Sequence, residues 1–210
     1  MKKVFVVGTQ LSYACWIKDA ELVNNIEDAD IVFFTGGEDI NPAIYGAKAI
    51  RETYYNDRRD KFEIEMFNKV KPNQLVFGTC RGLQLINALL GGLIIQDVTN
   101  HVCSSTHEIH NRYHKYEITS CHHQMVYPYT IDQNYFEILY WASPMSRHYK
   151  TSNAPIDTRL ITLKGEPEIV LYHLPNKPIC LGVQGHPEWM PDESPVVGLL
   201  NDLIDKYVAQ

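Results

Sequence analysis

Positive charge and long apolar stretches are both scarce in this sequence. Its 210 residues hold 19 Lys and Arg against 25 Asp and Glu, which gives a net charge of -6 and a pI near 5.8. A surface that follows nucleic-acid phosphates needs the opposite balance, so no nucleic-acid partner is expected. No apolar run approaches the roughly 20 residues of a membrane span. The run Val4–Val7 is also too short for a signal peptide, so no membrane association is expected.

Cysteine is also scarce and irregularly spaced. The five cysteines stand at positions 15, 80, 103, 121 and 180. An odd number at scattered spacings is poor material for a disulfide framework. A reducing environment suits such a chain better, so we expect a cytoplasmic location.

What the sequence does contain is an alternation of short apolar runs with helical patterns. Runs such as Val4–Val7, Ile31–Phe34 and Leu75–Phe77 predict strands that are buried on both faces. Between the last two, the apolar residues of segment 57–71 share one face, and Pro72 ends the predicted helix. The pattern predicts one α/β domain over residues 1–210, with an open, mostly parallel sheet and helices on both faces.

Two later segments have different patterns. Three strand-like runs, Leu160–Leu163, Ile169–Leu174 and Ile179–Val183, follow one another closely and predict a small antiparallel region near the C-terminal end. The polar, histidine-rich stretch His101–His114 is predicted to be a surface loop or lid. The sheet is therefore expected to be parallel except close to its C-terminal strands.

The sharpest local signal is the segment Gly78-Thr79-Cys80-Arg81-Gly82, where a buried strand runs directly into a helix. This G-x-C-x-G pattern is that of a nucleophile elbow with cysteine in place of serine. The helix N-terminus would favour the thiolate of Cys80, which is the reactive form. The alternative is a buried structural cysteine beside a glycine-rich turn, and on this segment alone the two interpretations are evenly balanced.

A second signal lies about a hundred residues later, in Gly185-His186-Pro187-Glu188. Pro187 prevents a regular helix there, so the side chains of His186 and Glu188 can lie along one extended turn. A nucleophile, a base and a group that orients the base form the minimal set for covalent acyl transfer. Without Cys80, an ordinary exposed loop would be the better interpretation.

Together with other segments, these residues resemble the class I glutamine amidotransferase superfamily, and within it the γ-glutamyl-γ-aminobutyrate hydrolase branch (peptidase C26-like). The resemblance spans most of the chain and implies the flavodoxin-like fold of that superfamily. Four further segments carry it by their order: Thr35–Gly46, Arg59-Asp60 with Glu63, Gly91-Gly92 with Gln96-Asp97, and His122-His123-Gln124. Each segment alone is a weak signal.

The resemblance implies a role for each matching residue. Cys80 attacks the γ-carbonyl, and His186, oriented by Glu188, moves the protons. The backbone amides of Gly37 and Arg81 form the oxyanion hole. The residues implied in substrate binding are Gly36, Gln84, His122, His123 and Gln124. Read from the sequence alone, Gln84 could instead be a polar residue on an apolar helix, and Gly36-Gly37 a plain turn.

The resemblance implies a hydrolase that cuts the γ-glutamyl amide bond of a γ-glutamyl amine or short peptide through a cysteinyl thioester, without a cofactor. The first alternative is a glutaminase subunit that supplies ammonia to a synthase partner, because the chemistry at the cysteine is the same. The second is a catalytically silent binding module, which ranks below both because all three triad residue types are present. The expected partner is a small γ-glutamyl substrate; a homodimer and a synthase partner both stay open.

A rival interpretation uses metal. Thiol and imidazole groups are dense in one stretch, at Cys103, His107, His110, His114, Cys121, His122 and His123. Their spacing matches no standard pair of zinc-ligand doublets. The sequence therefore favours a site without metal.

Two departures from the family pattern concern specificity. The segment between Asp97 and His122 is shorter than is usual in the branch, and residues 143–158 are irregular. These segments are expected to border the substrate entrance, so the leaving group does not follow from the resemblance. Gly185 stands where an aromatic residue is common, and its small size is expected to widen the pocket.

Overall fold

A nine-stranded mixed sheet runs through the molecule. The structure is a computed structural model that describes residues 1–8, 10–152 and 154–208, without the side chains of residues 103 and 104. The strands in chain order are β1 Lys2–Val7, β2 Ala20–Leu22, β3 Ile31–Phe34, β4 Leu75–Thr79, β5 Leu93–Ile95, β6 Asp97–Val98, β7 Val102–His110, β8 Lys115–Cys121, β9 Met125–Tyr127, β10 Phe136–Ala142, β11 Tyr149–Lys150, β12 Glu166–Tyr172 and β13 Cys180–Val183. The large sheet has the order β2-β1-β3-β4-β13-β12-β10-β7-β8, while β5 pairs with β9 and β6 pairs with β11.

The first five strands of this order are parallel and form the half of the sheet that the short apolar runs predict. Strands β3 and β4 are buried at every residue. Strand β4 pairs with β13 in the register Phe77 to Leu181 and Thr79 to Val183. This pairing places the C-terminal ends of β4 and β13 side by side, although about a hundred residues separate them in the chain.

The last four strands, β12, β10, β7 and β8, pair in antiparallel fashion. The prediction of a loop or lid at His101–His114 is wrong, because this stretch contains β7 and the start of the turn to β8. The inward positions of β7 include His107 and Ile109, while Glu108 between them is exposed. A histidine at an inward position hid the two-residue period, so the segment had the composition of a loop and the geometry of a strand.

Helices cover both faces of the sheet, as predicted. They are α1 Asp57–Lys69, α2 Arg81–Leu89, α3 Thr158–Lys164 and α4 Pro195–Val208. Met66 of α1 and Leu85 of α2 belong to the apolar cluster on one face. Val196 and Leu200 of α4 belong to the cluster on the other face. The expected α/β fold class is therefore confirmed.

Helix α3 corrects a second prediction. The run Leu160–Leu163 has the pattern of a strand but lies in α3. The Asp157 side chain caps this helix by accepting a hydrogen bond from the Arg159 amide, and Gly165, at φ +108, ends it. The cap stabilises a helix of only two turns that its apolar run alone does not reveal.

Among the described residues, no helix combines the length and the apolar character that crossing a membrane requires. The extent of a single domain over residues 1–210 stays a prediction.

Candidate active site

Cys80 occupies the corner between β4 and α2 in a strained backbone conformation. Its φ of +50 and ψ of -108 lie where non-glycine residues are rare. A side chain at Gly82 would collide with the Phe34 carbonyl oxygen, and a Cβ at Gly78 would lie 2.6 Å from the backbone of Gly82. The two glycines therefore make the tight turn feasible, and they leave the thiol at the N-terminus of a buried helix.

His186 follows β13 and lies next to Cys80. The backbone amide of Cys80 donates a 2.7 Å hydrogen bond to the Val183 carbonyl, which ties the two strand ends together. The imidazole of His186 is close enough to the Cys80 thiol to interact with it electrostatically, and its Nδ1 lies 2.7 Å from Glu188 Oε1. Burial lowers the pKa of His186, but the contacts with Cys80 and Glu188 outweigh burial and raise this pKa to about 9.

Three residues that the sequence did not single out surround His186. The Thr119 hydroxyl, on β8, accepts a 2.8 Å hydrogen bond from the His186 amide and donates one of 2.8 Å to the His186 carbonyl. Trp189 stacks on the imidazole with ring centroids 4.0 Å apart and planes 7° from parallel, and Tyr13 packs on it at 6.2 Å. Of the three, only Trp189 adjoins a segment that the sequence analysis uses, because it directly follows His186-Pro187-Glu188.

The backbone at Gly185 packs directly against β8. A Cβ at this position would lie 2.6 Å from the Thr119 carbonyl oxygen and 2.7 Å from the Ile118 side chain. The expectation that Gly185 widens the pocket is therefore wrong, because β8 fills the space that an aromatic side chain would take. Because Gly185 has no side chain, strand β8 and the chain segment that leads into His186 can approach each other closely.

The glycine pair after β3 lies beside the imidazole. A Cβ at Gly36 would lie 2.8 Å from His186 Cε1, and Gly37 has φ +141, which favours glycine. Arg59 fixes this loop through Nη2, which donates to the Gly36 carbonyl at 2.8 Å and to the Thr35 hydroxyl at 3.1 Å. Arg59 belongs to the family-like Arg-Asp pair, but its contact with the loop could not be predicted from spacing.

A buried ion-pair network connects this loop to α2. The guanidinium of Arg81 is fully buried and pairs with the carboxylates of Glu63 and Asp60. Glu63 also accepts a 2.7 Å hydrogen bond from Arg59 Nε, and Asp60 accepts one of 2.9 Å from the Asn41 backbone amide. The spacing of the family-like segment Arg59-Asp60 with Glu63 thus serves to hold the elbow and the glycine loop together.

The predicted substrate-binding residues occupy two different surroundings. Gln84, on α2, donates to the Gln124 carbonyl at 3.3 Å, and both side chains are buried. His123 is partly exposed and lies 2.9 Å from Asp39 Oδ1 and 3.5 Å from Asp97 Oδ1. Their roles in substrate binding stay predictions.

His122 faces away from solvent. Its ring is almost fully buried and packs on His101 with centroids 4.4 Å apart, and burial lowers its pKa. Its Nδ1 hydrogen-bonds the Gln124 carbonyl at 2.9 Å, and its Nε2 faces Glu168. The structure thus places His122 in a buried histidine cluster, while its role in substrate binding stays a prediction.

Two curated relatives match parts of the chain. The chain is 38% identical over 90 residues to protein NtpR of Enterococcus hirae, a match that covers 40% of this chain and 37% of NtpR. It is 28% identical over 131 residues to a glutamine amidotransferase-like YvdE homologue of Lactococcus lactis subsp. cremoris, covering 52% of this chain and 70% of the relative. The chain thus spans little more than a third of the length of one relative and just over two thirds of the other.

Solved structures share the fold at low sequence identity. A structure described as a GMP synthase protein from Thermoplasma acidophilum superposes with a TM-score of 0.60 at 13% identity, covering 100% of this chain and 93% of that one. A glutamine amidotransferase from Thermotoga maritima gives 0.55 at 12% identity, covering 98% and 84%. At this identity the likeness concerns the fold alone.

The sequence model of one family, Peptidase C26, matches residues 6–188, a range that contains the elbow, the glycine loop and the histidine turn. The chain therefore belongs to the Peptidase C26 family.

Proposed function

We propose that this protein hydrolyses the γ-glutamyl amide bond of a γ-glutamyl amine or short γ-glutamyl peptide. The observation that carries the proposal is the imidazole of His186 placed between Cys80, with which it interacts electrostatically, and Glu188, whose Oε1 lies 2.7 Å from Nδ1, with the thiol in a strained strand-to-helix corner. Membership of the Peptidase C26 family supports a cysteine-type amidohydrolase. The γ-glutamyl specificity rests on the resemblance of the segments around the site.

In the first half of the reaction, the Cys80 sulfur attacks the γ-carbonyl carbon and the carbonyl oxygen becomes an oxyanion. His186 holds the proton that the leaving nitrogen needs, and the raised pKa keeps this proton available at neutral pH. Collapse of the tetrahedral intermediate then breaks the C–N bond and releases the amine, leaving a glutamyl thioester on Cys80.

In the second half, His186 takes a proton from water, and the resulting hydroxide attacks the thioester carbon. The C–S bond breaks, glutamate leaves, and the Cys80 sulfur departs as the thiolate beside the protonated His186, which restores the starting pair. Glu188 keeps the imidazole oriented in both halves through its contact with Nδ1. Backbone amides of Gly37 and Arg81 are the proposed oxyanion donors, and removal of one such donor costs about 3 kcal/mol in other enzymes.

The test compares wild type with Cys80→Ala. Purified proteins are incubated with glutamine and a panel of γ-glutamyl amines and dipeptides, and free glutamate is measured by mass spectrometry. Cys15→Ala removes an exposed cysteine far from the elbow in the chain and is the matched control. We expect turnover by wild type and by Cys15→Ala only. Equal turnover by Cys80→Ala, or none by wild type on any γ-glutamyl amide, contradicts the proposal.

A glutaminase subunit that passes ammonia to a synthase partner is the second candidate. Exposed apolar side chains beside the triad favour it: Trp189, which stacks on His186, is 56% exposed, and Leu11, in the neighbouring short helix Leu11–Ala14, is 51% exposed. An exposed apolar patch of this kind is typical of a surface that receives a partner chain.

The substrate panel separates the two candidates. A stand-alone hydrolase turns over a bulky γ-glutamyl amine without help, whereas a glutaminase that serves a synthase accepts glutamine alone and does so slowly until its partner binds.

We also propose a reducing, cytoplasmic setting, because a free reactive thiol and scattered cysteines suit it.

A further inference from the structure

Behind the β7–β8 hairpin lies a cluster of four buried side chains that the proposed chemistry does not use. Three imidazole nitrogens converge on one carboxylate oxygen, Glu168 Oε1. His107 Nε2 lies 2.9 Å from it, His122 Nε2 3.6 Å and His101 Nδ1 3.8 Å. All four side chains are between 0% and 6% exposed. His101 immediately precedes β7, His107 lies within it, His122 immediately follows β8, and Glu168 lies on β12.

The outer contacts of two histidines leave one nitrogen of each directed inward. His101 Nε2 lies 2.9 Å from Glu166 Oε2, and His122 Nδ1 lies 2.9 Å from the Gln124 carbonyl. Metal-binding histidines commonly use their second nitrogen in this way, with a carboxylate or a backbone carbonyl as the partner that fixes the ring. The outer contacts of this cluster are thus those of a metal site.

The spacing of the inner atoms also fits a small cation. Bonds of about 2.0 Å in tetrahedral geometry place neighbouring ligand atoms roughly 3.3 Å apart. The three measured distances to Glu168 Oε1 lie on both sides of this value, and the ligand atoms of His101, His107 and Glu168 all lie within 4.8 Å of one another. His122 Nε2 does not belong to this group of three, so its ring would have to turn inward to supply the fourth ligand atom.

The competing explanation is an ion pair between a protonated His107 and Glu168. It accounts for the 2.9 Å contact, but His101 Nδ1 and His122 Nε2 then face the same oxygen only at 3.8 and 3.6 Å, and neither has a partner at hydrogen-bond distance among the described residues. An unsatisfied buried polar atom costs about 1–3 kcal/mol. A cation at the centre would engage both of these nitrogens and would balance the buried negative charge.

We propose that His101, His107, His122 and Glu168 bind one divalent transition-metal ion, with zinc the best match to three imidazoles and one carboxylate. The site is closed by four protein ligands and buried, so its role is structural. It would pin the β7–β8 hairpin to β12, and this hairpin carries Thr119, which holds His186. In the sequence, the spacing of the dense stretch from Cys103 to His123 favours no metal, and this set is not found there because His101 and Glu168 lie outside that stretch.

The test uses the full chain and two metals. Protein produced with added Zn²⁺ is analysed by inductively coupled plasma mass spectrometry, and stripped protein is titrated with Co²⁺ while visible absorption is recorded. We expect about one Zn²⁺ per chain and the strong absorption bands of tetrahedral Co²⁺. Glu166→Gln, which alters an outer contact, should weaken binding about 10–100-fold.

Variants locate the ion. Glu168→Gln should abolish stoichiometric binding, whereas His114→Gln, which changes an exposed histidine in the turn of the same hairpin, should bind like wild type. If Glu168→Gln fails to fold, the wild-type Co²⁺ spectrum decides. A folded wild type without stoichiometric metal and without the Co²⁺ bands overturns the proposal, as does unchanged binding by folded Glu168→Gln. Neither readout depends on γ-glutamyl turnover, so this proposal and the proposed function can fail separately.

Discussion

The two halves of the sheet contribute to the site in different ways. The parallel half supplies Cys80 and the glycine loop, and it positions them through local turns and one buried ion-pair network. The antiparallel half contributes no residue of the proposed triad, yet Thr119 on its strand β8 hydrogen-bonds both the backbone amide and the backbone carbonyl of His186. The position of His186, which follows a strand of the parallel half, thus depends on a contact from the antiparallel half.

This difference shows how the imidazole can be held in place without a regular helix or strand around it. His186 and Glu188 lie in a short turn after β13, and such turns are mobile when nothing packs on them. Here Thr119 and Trp189 fix the backbone and the ring. The antiparallel half is therefore expected to affect the rate of the reaction through the position of His186, whereas the parallel half positions Cys80 itself.

Arg81→Met tests the network of the parallel half and should have the largest effect on stability. The change leaves the carboxylates of Glu63 and Asp60 buried without their counter-charge, and breaking such a buried pair costs about 3–5 kcal/mol. The free energy of unfolding is measured by urea denaturation. Arg159→Met, which removes the exposed partner of Asp157, should leave stability unchanged. Equal losses in both variants would show that the network is not what fixes the elbow.

His186→Gln removes the proton carrier and leaves a side chain of similar size. We expect kcat on the best γ-glutamyl amide to fall by about 10²–10⁴-fold, the usual contribution of general acid–base catalysis. Circular dichroism checks that the fold is intact. A loss of less than tenfold in a folded variant would remove His186 from the mechanism.

Gly185→Ala tests the close approach of the two halves. Its Cβ would lie 2.6 Å from the Thr119 carbonyl oxygen, so strand β8 must move, at a cost of about 1–3 kcal/mol. Gly198→Ala in α4, where nothing lies within 4 Å of the added methyl group, should instead be neutral or stabilise by up to about 1 kcal/mol. Thermal unfolding of both variants measures the contrast. Unchanged stability of Gly185→Ala would instead support a pocket that Gly185 widens.

Thr119→Val removes the two hydrogen bonds between the β8 hydroxyl and the His186 backbone, with little change in side-chain shape. The amide of His186 loses its partner, which costs about 1–3 kcal/mol when the group stays buried. We expect kcat to fall more than KM changes, because the imidazole is displaced while the substrate contacts remain. Thr106→Val, which changes the facing residue on β7, is the matched control. Equal kinetics in the two variants would mean that the antiparallel half does not position the histidine.

The smallest predicted change concerns the protonation of His186 and is measured by NMR titration of its imidazole. Burial lowers this pKa, and Cys80 and Glu188 raise it to about 9. Glu188→Gln should therefore lower it toward the ordinary 6.5. Because the folded state holds the proton more tightly, the linked stability is fully present below pH 6.5 and is lost as the pH rises through about 9. An unchanged midpoint in Glu188→Gln would contradict the assigned contact.

The sequence predicts the parallel half well, because its signals are local. The apolar runs of β3 and β4 and the glycines on either side of Cys80 each require only a few neighbouring residues to be recognised. The antiparallel half is largely missed, because β7 has His107 at an inward position where an apolar residue would reveal the strand period, and α3 depends on its cap.

The supporting contacts of the site could not be predicted for a related reason. Thr119 reaches His186 across 67 residues, and Arg59 reaches the Gly36 carbonyl across 23. One sequence without aligned relatives gives no signal for such pairs. Gly185 shows the same limit: its size is visible in the sequence, but the strand that fills the space beside it is not.

The most direct test of the central claim is chemical labelling of the thiol. A glutamine analogue with an electrophilic diazoketone at the γ-position is incubated with wild type, Cys15→Ala and His186→Gln, and the adducts are mapped by peptide mass spectrometry. We predict one adduct, on Cys80, at full yield in the first two proteins and with much slower formation in His186→Gln. Absence of label on Cys80, or labelling at the same rate without His186, would contradict the proposal that these two residues act together on a glutamyl substrate.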